Sequence, residues 1–316
     1  MTLMRRDEAW RLQYRGDPYM RDLPNADLFT RVGDLASAML VYTPDGKVGL
    51  KPFDEDPSQM EHFAHVLEEM AIRGFHHRQA GVLDALNLPK PPRVRRALRA
   101  LADRSWPGPI LVKFGKRKHM AALLLEGRGR ISRASFYCDP SLGRARADNE
   151  ARVAAYVHPI DAHRFMGVRQ DANGTSAVDL NVPYLGNTLV ELQATTDFYV
   201  YCLAEACEAR MFEDFDETCV VITRPEEFTS QVQNAVNTQL PGWTFIAAPV
   251  VYFDPFFARP HQMAVQLFKH FRFSYQQEHR FLWVPPSPEE AALIESRDHI
   301  HFEIGSLTAY AEMIWL

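Results

Sequence analysis

Trp106-Pro107-Gly108-Pro109 is the feature that most restricts how this chain can fold. Neither proline donates a backbone hydrogen bond, each fixes its own φ, and the glycine between them loosens the chain. No helix interior or central strand can therefore run through this point. The pattern differs on its two sides. Before it, residues 38–42 and 47–50 flank Pro44-Asp45-Gly46, a hairpin signal because Gly46 can take positive φ. Asp56-Pro57 then opens a helix in which Met60, Phe63, Val66, Leu67 and Met70 recur at helical spacing, with Gly74 as its stop. A helix around 79–86 and a basic one around 92–102 follow.

After the break, short apolar runs dominate. Residues 110–114 read as a strand, 116–126 as a helix with an apolar stripe of Met120, Leu123 and Leu124, and Gly127 as its cap. Residues 130–137 continue as a strand and lead into a polar loop, 139–149. Strand patterns recur at 153–158, 164–168, 189–192, 198–203 and 219–222. A helix opens at Pro225, a strand lies at 249–253, residues 262–270 read as helical, and 274–284 as a strand. Ser287 is an N-cap signal, and apolar segments at 301–304 and 313–316 close the chain. The expected class is α+β: a mixed, largely antiparallel sheet with flanking helices over 109–316. It is preceded by a smaller, mainly helical region with a hairpin over 1–108.

The composition is that of a globular chain, with 47% hydrophobic and 24% charged residues among 316. No apolar run reaches the roughly 20 residues of a membrane helix, and no signal-type segment opens the chain, so a cytoplasmic protein without membrane contact is expected. Four cysteines without a CxxC pair read as reduced and structural. The net charge of −5 conceals an asymmetry, since residues 93–133 hold twelve Lys or Arg against two acids. That stripe can attract the phosphates of a nucleotide or a nucleic acid, or it can be a solvated helix face. Glycine-rich nucleotide loops, the GxSxG elbow and HExxH are all absent. The pair His62 and His65 lies one helical turn apart without a third ligand at a familiar interval, so ordinary histidines are expected.

The richest polar segment is 274–284. Read as a strand, it projects Gln276, Glu278 and Arg280 to one face and Gln277, His279 and Phe281 to the other. A carboxylate between an amide and a guanidinium can be a binding site, or it can be a same-face ion pair bonded to neighbouring strands.

Val112-Lys113-Phe114-Gly115, Glu126-Gly127-Arg128, Tyr201-Cys202-Leu203, Lys269 and the run from Tyr275 to Arg280 resemble the bacterial domain-of-unknown-function family 2971 over about 110–316. That resemblance implies a role in bacterial conflict or phage defence, of toxin type. More distantly, the same segments are similar to ADP-ribosyltransferase-type NAD-binding domains, with Gln276-x-Glu278 as the late Q-x-E motif and Lys113 where those domains carry His or Arg. The similarity implies NAD as substrate rather than a resident cofactor, and ADP-ribosyl transfer or NAD hydrolysis as activity. Glu278 would stabilise the ribose cation, with Gln276 and Arg280 beside it. Lys113, Arg146 and Arg280 would be the candidates to hold the pyrophosphate, Tyr137 or Tyr275 would pack on nicotinamide, and His119 would belong to the same nucleotide site. The rival expectation is a non-catalytic effector or sensor that meets a protein partner through 1–108. Phosphate-directed nucleic-acid binding through 93–133 is a third.

Overall fold

The computed structural model describes residues 6–42, 48–51, 57–75, 91–139, 151–157, 166–171, 174–179, 188–258, 263–287, 289–290 and 297–316. The chain opens with α1 (Arg6–Gly16), α2 (Asn25–Met39), the hairpin β1 (Leu40–Tyr42) and β2 (Val48–Leu50), α3 (Pro57–Ile72) and α4 (Pro91–Leu101). Next come β3 (Leu111–Phe114), α5 (Arg117–Glu126), β4 (Arg128–Arg133), β5 (Arg152–Val157), β6 (Met166–Asp171), β7 (Gly174–Asp179) and β8 (Thr188–Gln193). They are followed by β9 (Tyr199–Ala204), α6 (Met211–Asp214), β10 (Thr218–Ile222), α7 (Pro225–Asn237), β11 (Thr244–Pro249) and β12 (Val251–Phe253). The last strands are β13 (Phe268–His270), β14 (Glu278–Val284), β15 (His299–Glu303) and β16 (Ala311–Trp315).

The fold is α+β. An eight-stranded sheet runs β11-β14-β9-β3-β10-β16, with β4 joined to β9 and β15 joined to β4. Its described pairings are all antiparallel. Strand β9 is the fork of this sheet. One edge pairs with β14 along its whole length, while the other meets β3 at Ala204 and β4 at Tyr199 and Val200. Strand β9 is apolar along its whole length, as a strand buried on both faces requires, with successive side chains turned to opposite faces. Tyr199, Tyr201 and Leu203 join Phe281 and Trp283 on one face, covered by Met120 and Leu123 of α5 and by Phe228, Val232 and Val236 of α7. On the other face, Val112, Ala204, Cys219 and Val221 pack under α4 through Val94 and Ala97, and Val200 meets Leu282. Each large apolar side chain buried this way contributes about 1.5–3 kcal/mol.

Glycine at position 127 has a specific cause. It caps α5 at φ +64°, and a Cβ there would lie 2.1 Å from the Gly305 carbonyl oxygen.

Several local expectations are corrected. Helices α1 and α2 precede the hairpin, and Ala38 and Met39 end α2 instead of starting a strand. Strand β4 stops at Arg133, and Ala134–Cys138 is a 3-10 turn, because Asp197 takes the Ser135 N–H (3.2 Å) and hydroxyl (2.6 Å) and draws the chain out of the ladder. Residues 263–270 form a 3-10 turn (Val265–Leu267) and β13, which pairs in parallel with β12. The run expected as one strand from 274 begins as a 3-10 turn (Phe271–Gln276), started by His270 Nδ1 accepting the Arg272 N–H. Gln277 then turns at φ +41°, and β14 starts at Glu278. Gln276 is therefore off the strand face that it was expected to share. The helix expected at 79–86 lies outside the described residues.

The N-terminal helices pack on the rest of the chain. Tyr14, Met20, Leu28, Leu35, Val66 and Met70 form one cluster with Phe256 and Phe271. Arg31, only 4% exposed, holds Asp254 through two bonds of 2.8 and 2.9 Å, and His62 Nδ1 reaches the same carboxylate at 3.0 Å. Burial alone would push the Asp254 carboxyl up, but Arg31 and His62 hold it well below the usual carboxylate range.

Candidate functional site: the two faces of strand β14

Glu278, Arg280 and Lys269 are buried together. Arg280 Nε donates to Glu278 Oε1 at 2.8 Å and Lys269 Nζ to Oε2 at 2.9 Å, and the three residues are 5%, 0% and 4% exposed. The Glu278 N–H donates to the Tyr252 hydroxyl, and Arg280 Nη1 donates to the Gln266 carbonyl at 2.7 Å. Burial alone would raise the Glu278 carboxyl, but Arg280 and Lys269 outweigh it and keep it well below the ordinary range. Both carboxylate oxygens thus carry a cation. The triad ties β13 and its neighbouring turns to the sheet, which is the work of a buried ionic crosslink.

The other expected residues are dispersed. Gln276 is buried, and its amide donates to the Tyr275 hydroxyl at 3.4 Å. Tyr275 packs beside Phe114 and Phe215, with the Arg210 guanidinium 3.5 Å from its ring centre; burial pushes its hydroxyl up. Arg210 in turn donates to the carbonyl and hydroxyl of Ser37 on α2. Tyr137 packs against the Val200–Leu282 cluster.

Lys113 is on the opposite face from Glu278. It lies over the Tyr201 ring at 4.1 Å and donates to the Cys202 carbonyl at 2.6 Å. That carbonyl sits between the stretches of β9 that pair with β3 and β4, so Lys113 satisfies the backbone at the fork. His119 is exposed on α5, where slight burial and then Lys118, Arg130 and Lys116 hold its imidazole below the ordinary value. Arg146 lies outside the described residues. Lys113 and Glu278 therefore do not form one cleft.

The basic stretch 93–133 is also divided, since α4 and α5 cover opposite faces of the sheet. Much of it is paired with acids: Arg93 and Arg96 with Glu217, Arg104 with Glu312, Arg128 with Glu126, and Arg133 with Asp298.

The other face of β14, buried at Phe281 and Trp283, opens at its first residue, His279. Strand alternation turns His279 away from the triad and into a groove of about 640 Å³ between the sheet and α7. Leu111, Ala247 and His279 form the sheet side, and Glu226, Thr229, Ser230 and Gln233 the helix side. Here α7 buries Phe228, Val232 and Val236 in the core. His279 Nδ1 meets Glu205 Oε1 at 2.9 Å, with the side chains 17% and 45% exposed. The Glu205 N–H donates to the Gln277 carbonyl at 2.8 Å, which holds the Glu205 backbone beside the start of β14. In the tautomer that carries its proton on Nδ1, the imidazole donates to Glu205 and leaves Nε2 as the acceptor nitrogen.

Alternation in the sequence points His279 to this face. Nothing local links it to Glu205, 74 residues earlier, because only the β9–β14 pairing brings them together. Comparison of the chain with protein-family models, with curated proteins and with solved structures finds no match. Among the described residues, no helix is long and apolar enough to cross a membrane.

Proposed function

We propose that the groove is a small-molecule active site in which His279, oriented by Glu205, takes a proton from a substrate or water and returns it to the leaving group. The observation that carries this reading is the 2.9 Å His279–Glu205 pair at the edge of a groove of about 640 Å³. A carboxylate on one imidazole nitrogen fixes the tautomer and stabilises the imidazolium formed at the other, which is the arrangement general acid–base catalysis needs. Apolar Leu111 and Ala247, together with hydroxyl and amide groups on α7, offer both apolar and hydrogen-bonding contacts to a small molecule. Glu205 and Glu226 make the groove acidic, which favours a neutral or cationic substrate over a phosphate-bearing one. The ADP-ribosyl-transfer reading needs the Glu278 carboxylate to face a developing ribose cation, and its pairing with Lys269 and Arg280 weighs against that.

One assay tests both readings. Wild type, His279→Ala, Glu205→Gln and Glu278→Gln are compared on neutral chromogenic esters, amides and glycosides, and on NAD by nicotinamide release. The groove reading expects turnover of a neutral substrate that falls about 10²–10⁴-fold in His279→Ala and less in Glu205→Gln. Nicotinamide release that survives His279→Ala and disappears in folded Glu278→Gln would overturn it in favour of ADP-ribosyl chemistry. So would a panel on which no turnover depends on His279.

A further inference from the structure

Two of the four cysteines face each other. Cys207 Sγ and Cys219 Sγ lie 3.7 Å apart, Cys219 buried in β10 and Cys207 half-buried between β9 and α6. Both belong to the cluster under α4. The contact with Cys207 and then burial push the Cys219 thiol up. Cys207 is the more accessible of the two, so it is the sulfur that meets an oxidant first.

We propose that Cys207 and Cys219 are a redox-reactive pair that closes to an intramolecular disulfide on reaction with a peroxide. The Cys207 thiolate attacks a peroxide oxygen. A sulfur–oxygen bond forms, the oxygen–oxygen bond breaks, and hydroxide leaves as water after taking up the thiol's proton. The Cys219 sulfur then attacks the sulfenic acid on Cys207. The disulfide forms, the sulfur–oxygen bond breaks, and the released hydroxide takes the Cys219 proton as a second water. The two sulfurs together lose two electrons, and one hydrogen peroxide becomes two waters.

Geometry also says what moves. The sulfurs must close from 3.7 Å to the roughly 2 Å of a covalent bond. Cys219 is held by β16 on one side and β3 on the other, so the 205–210 segment gives way. Glu205 lies two residues before Cys207, and its movement alters the partner of His279. This link to the groove rests on the acid–base reading of His279; the disulfide does not.

The test treats native protein with hydrogen peroxide, blocks free thiols and maps the unreduced digest by mass spectrometry. Cleavage at Glu205 separates Cys202 from Cys207, and cleavage after Arg210 separates Cys207 from Cys219. Expected are a Cys207–Cys219 crosslink, a fall from four titratable thiols to two, and recovery with dithiothreitol; Cys207→Ser abolishes the crosslink. Oxidation confined to Cys138, or Cys207 oxidised further without a link to Cys219, would overturn the pair. The His279 ring signal in NMR reads the coupling separately. It shifts on oxidation of wild type and stays in place in Cys207→Ser, whereas a formed disulfide with an unmoved His279 would overturn the coupling alone.

Discussion

Glu278 and His279 are neighbours in sequence with opposite circumstances, and the reason is the two-residue period of a strand. Glu278 turns toward Lys269 and Arg280 in the interior, whereas His279 turns toward the groove and Glu205. Glu278 is the single carboxylate between two buried cations, so removing its charge leaves both without it, whereas removing Lys269 still leaves the Glu278–Arg280 pair. Lys269→Met should therefore lower stability by about 1.5–3 kcal/mol in urea unfolding, the scale of one charge-assisted hydrogen bond and above the cost of an exposed pair. His270 supplies a pH dependence. Its burial, with Arg272 adjacent, lowers the imidazole from 6.5 to about 3. As pH falls below 6.5 the unfolded chain binds a proton that the native imidazole refuses until about 3, so stability is present above 6.5 and is lost as pH falls through that window. Unfolding measured from pH 7 to pH 4 should show a shallower slope in His270→Gln than in wild type.

At the scale of elements, β14 begins where it does because Gln277 turns through φ +41°. Gln277→Gly removes the strain of a side chain in that region and should leave stability unchanged or raise it by up to about 1 kcal/mol. Gly127→Ala should do the reverse, because the added Cβ meets the Gly305 carbonyl oxygen, and thermal unfolding of the pair checks both signs. The strand–helix–glycine unit from β3 to Gly127 is legible in the sequence, since its apolar spacing and its cap agree. The 3-10 turn at Phe271–Gln276 is not, because its polar run alternates like a strand and its starting bond comes from the His270 side chain. Residues 262–270 mislead for a related reason. Val265, Leu267 and Phe268 fit either period, and it is the parallel pairing with β12 that makes β13 a strand.

Across the whole molecule, the Trp106-Pro107-Gly108-Pro109 break is readable, whereas the close packing of the N-terminal helices on Phe256 and Phe271 is not. That contact depends on Arg31 meeting Asp254, 223 residues away. Arg31→Ala leaves Asp254 without its strongest partner, and limited proteolysis should cut α1–α3 sooner than in wild type while the sheet resists. The candidate site divides in the same way. Its residue types are visible in the sequence around Glu278, but Lys269, nine residues earlier, becomes its partner only when β13 folds beside β14. The central claim is that Glu278 is a structural crosslink of β14 whereas His279, its neighbour on the other face, is not needed for the fold, and matched urea unfolding of Glu278→Gln and His279→Ala tests it most directly. The account predicts a loss of about 3–5 kcal/mol for Glu278→Gln and no more than about 1 kcal/mol for His279→Ala. Equal losses, or a larger loss from His279→Ala, would contradict it.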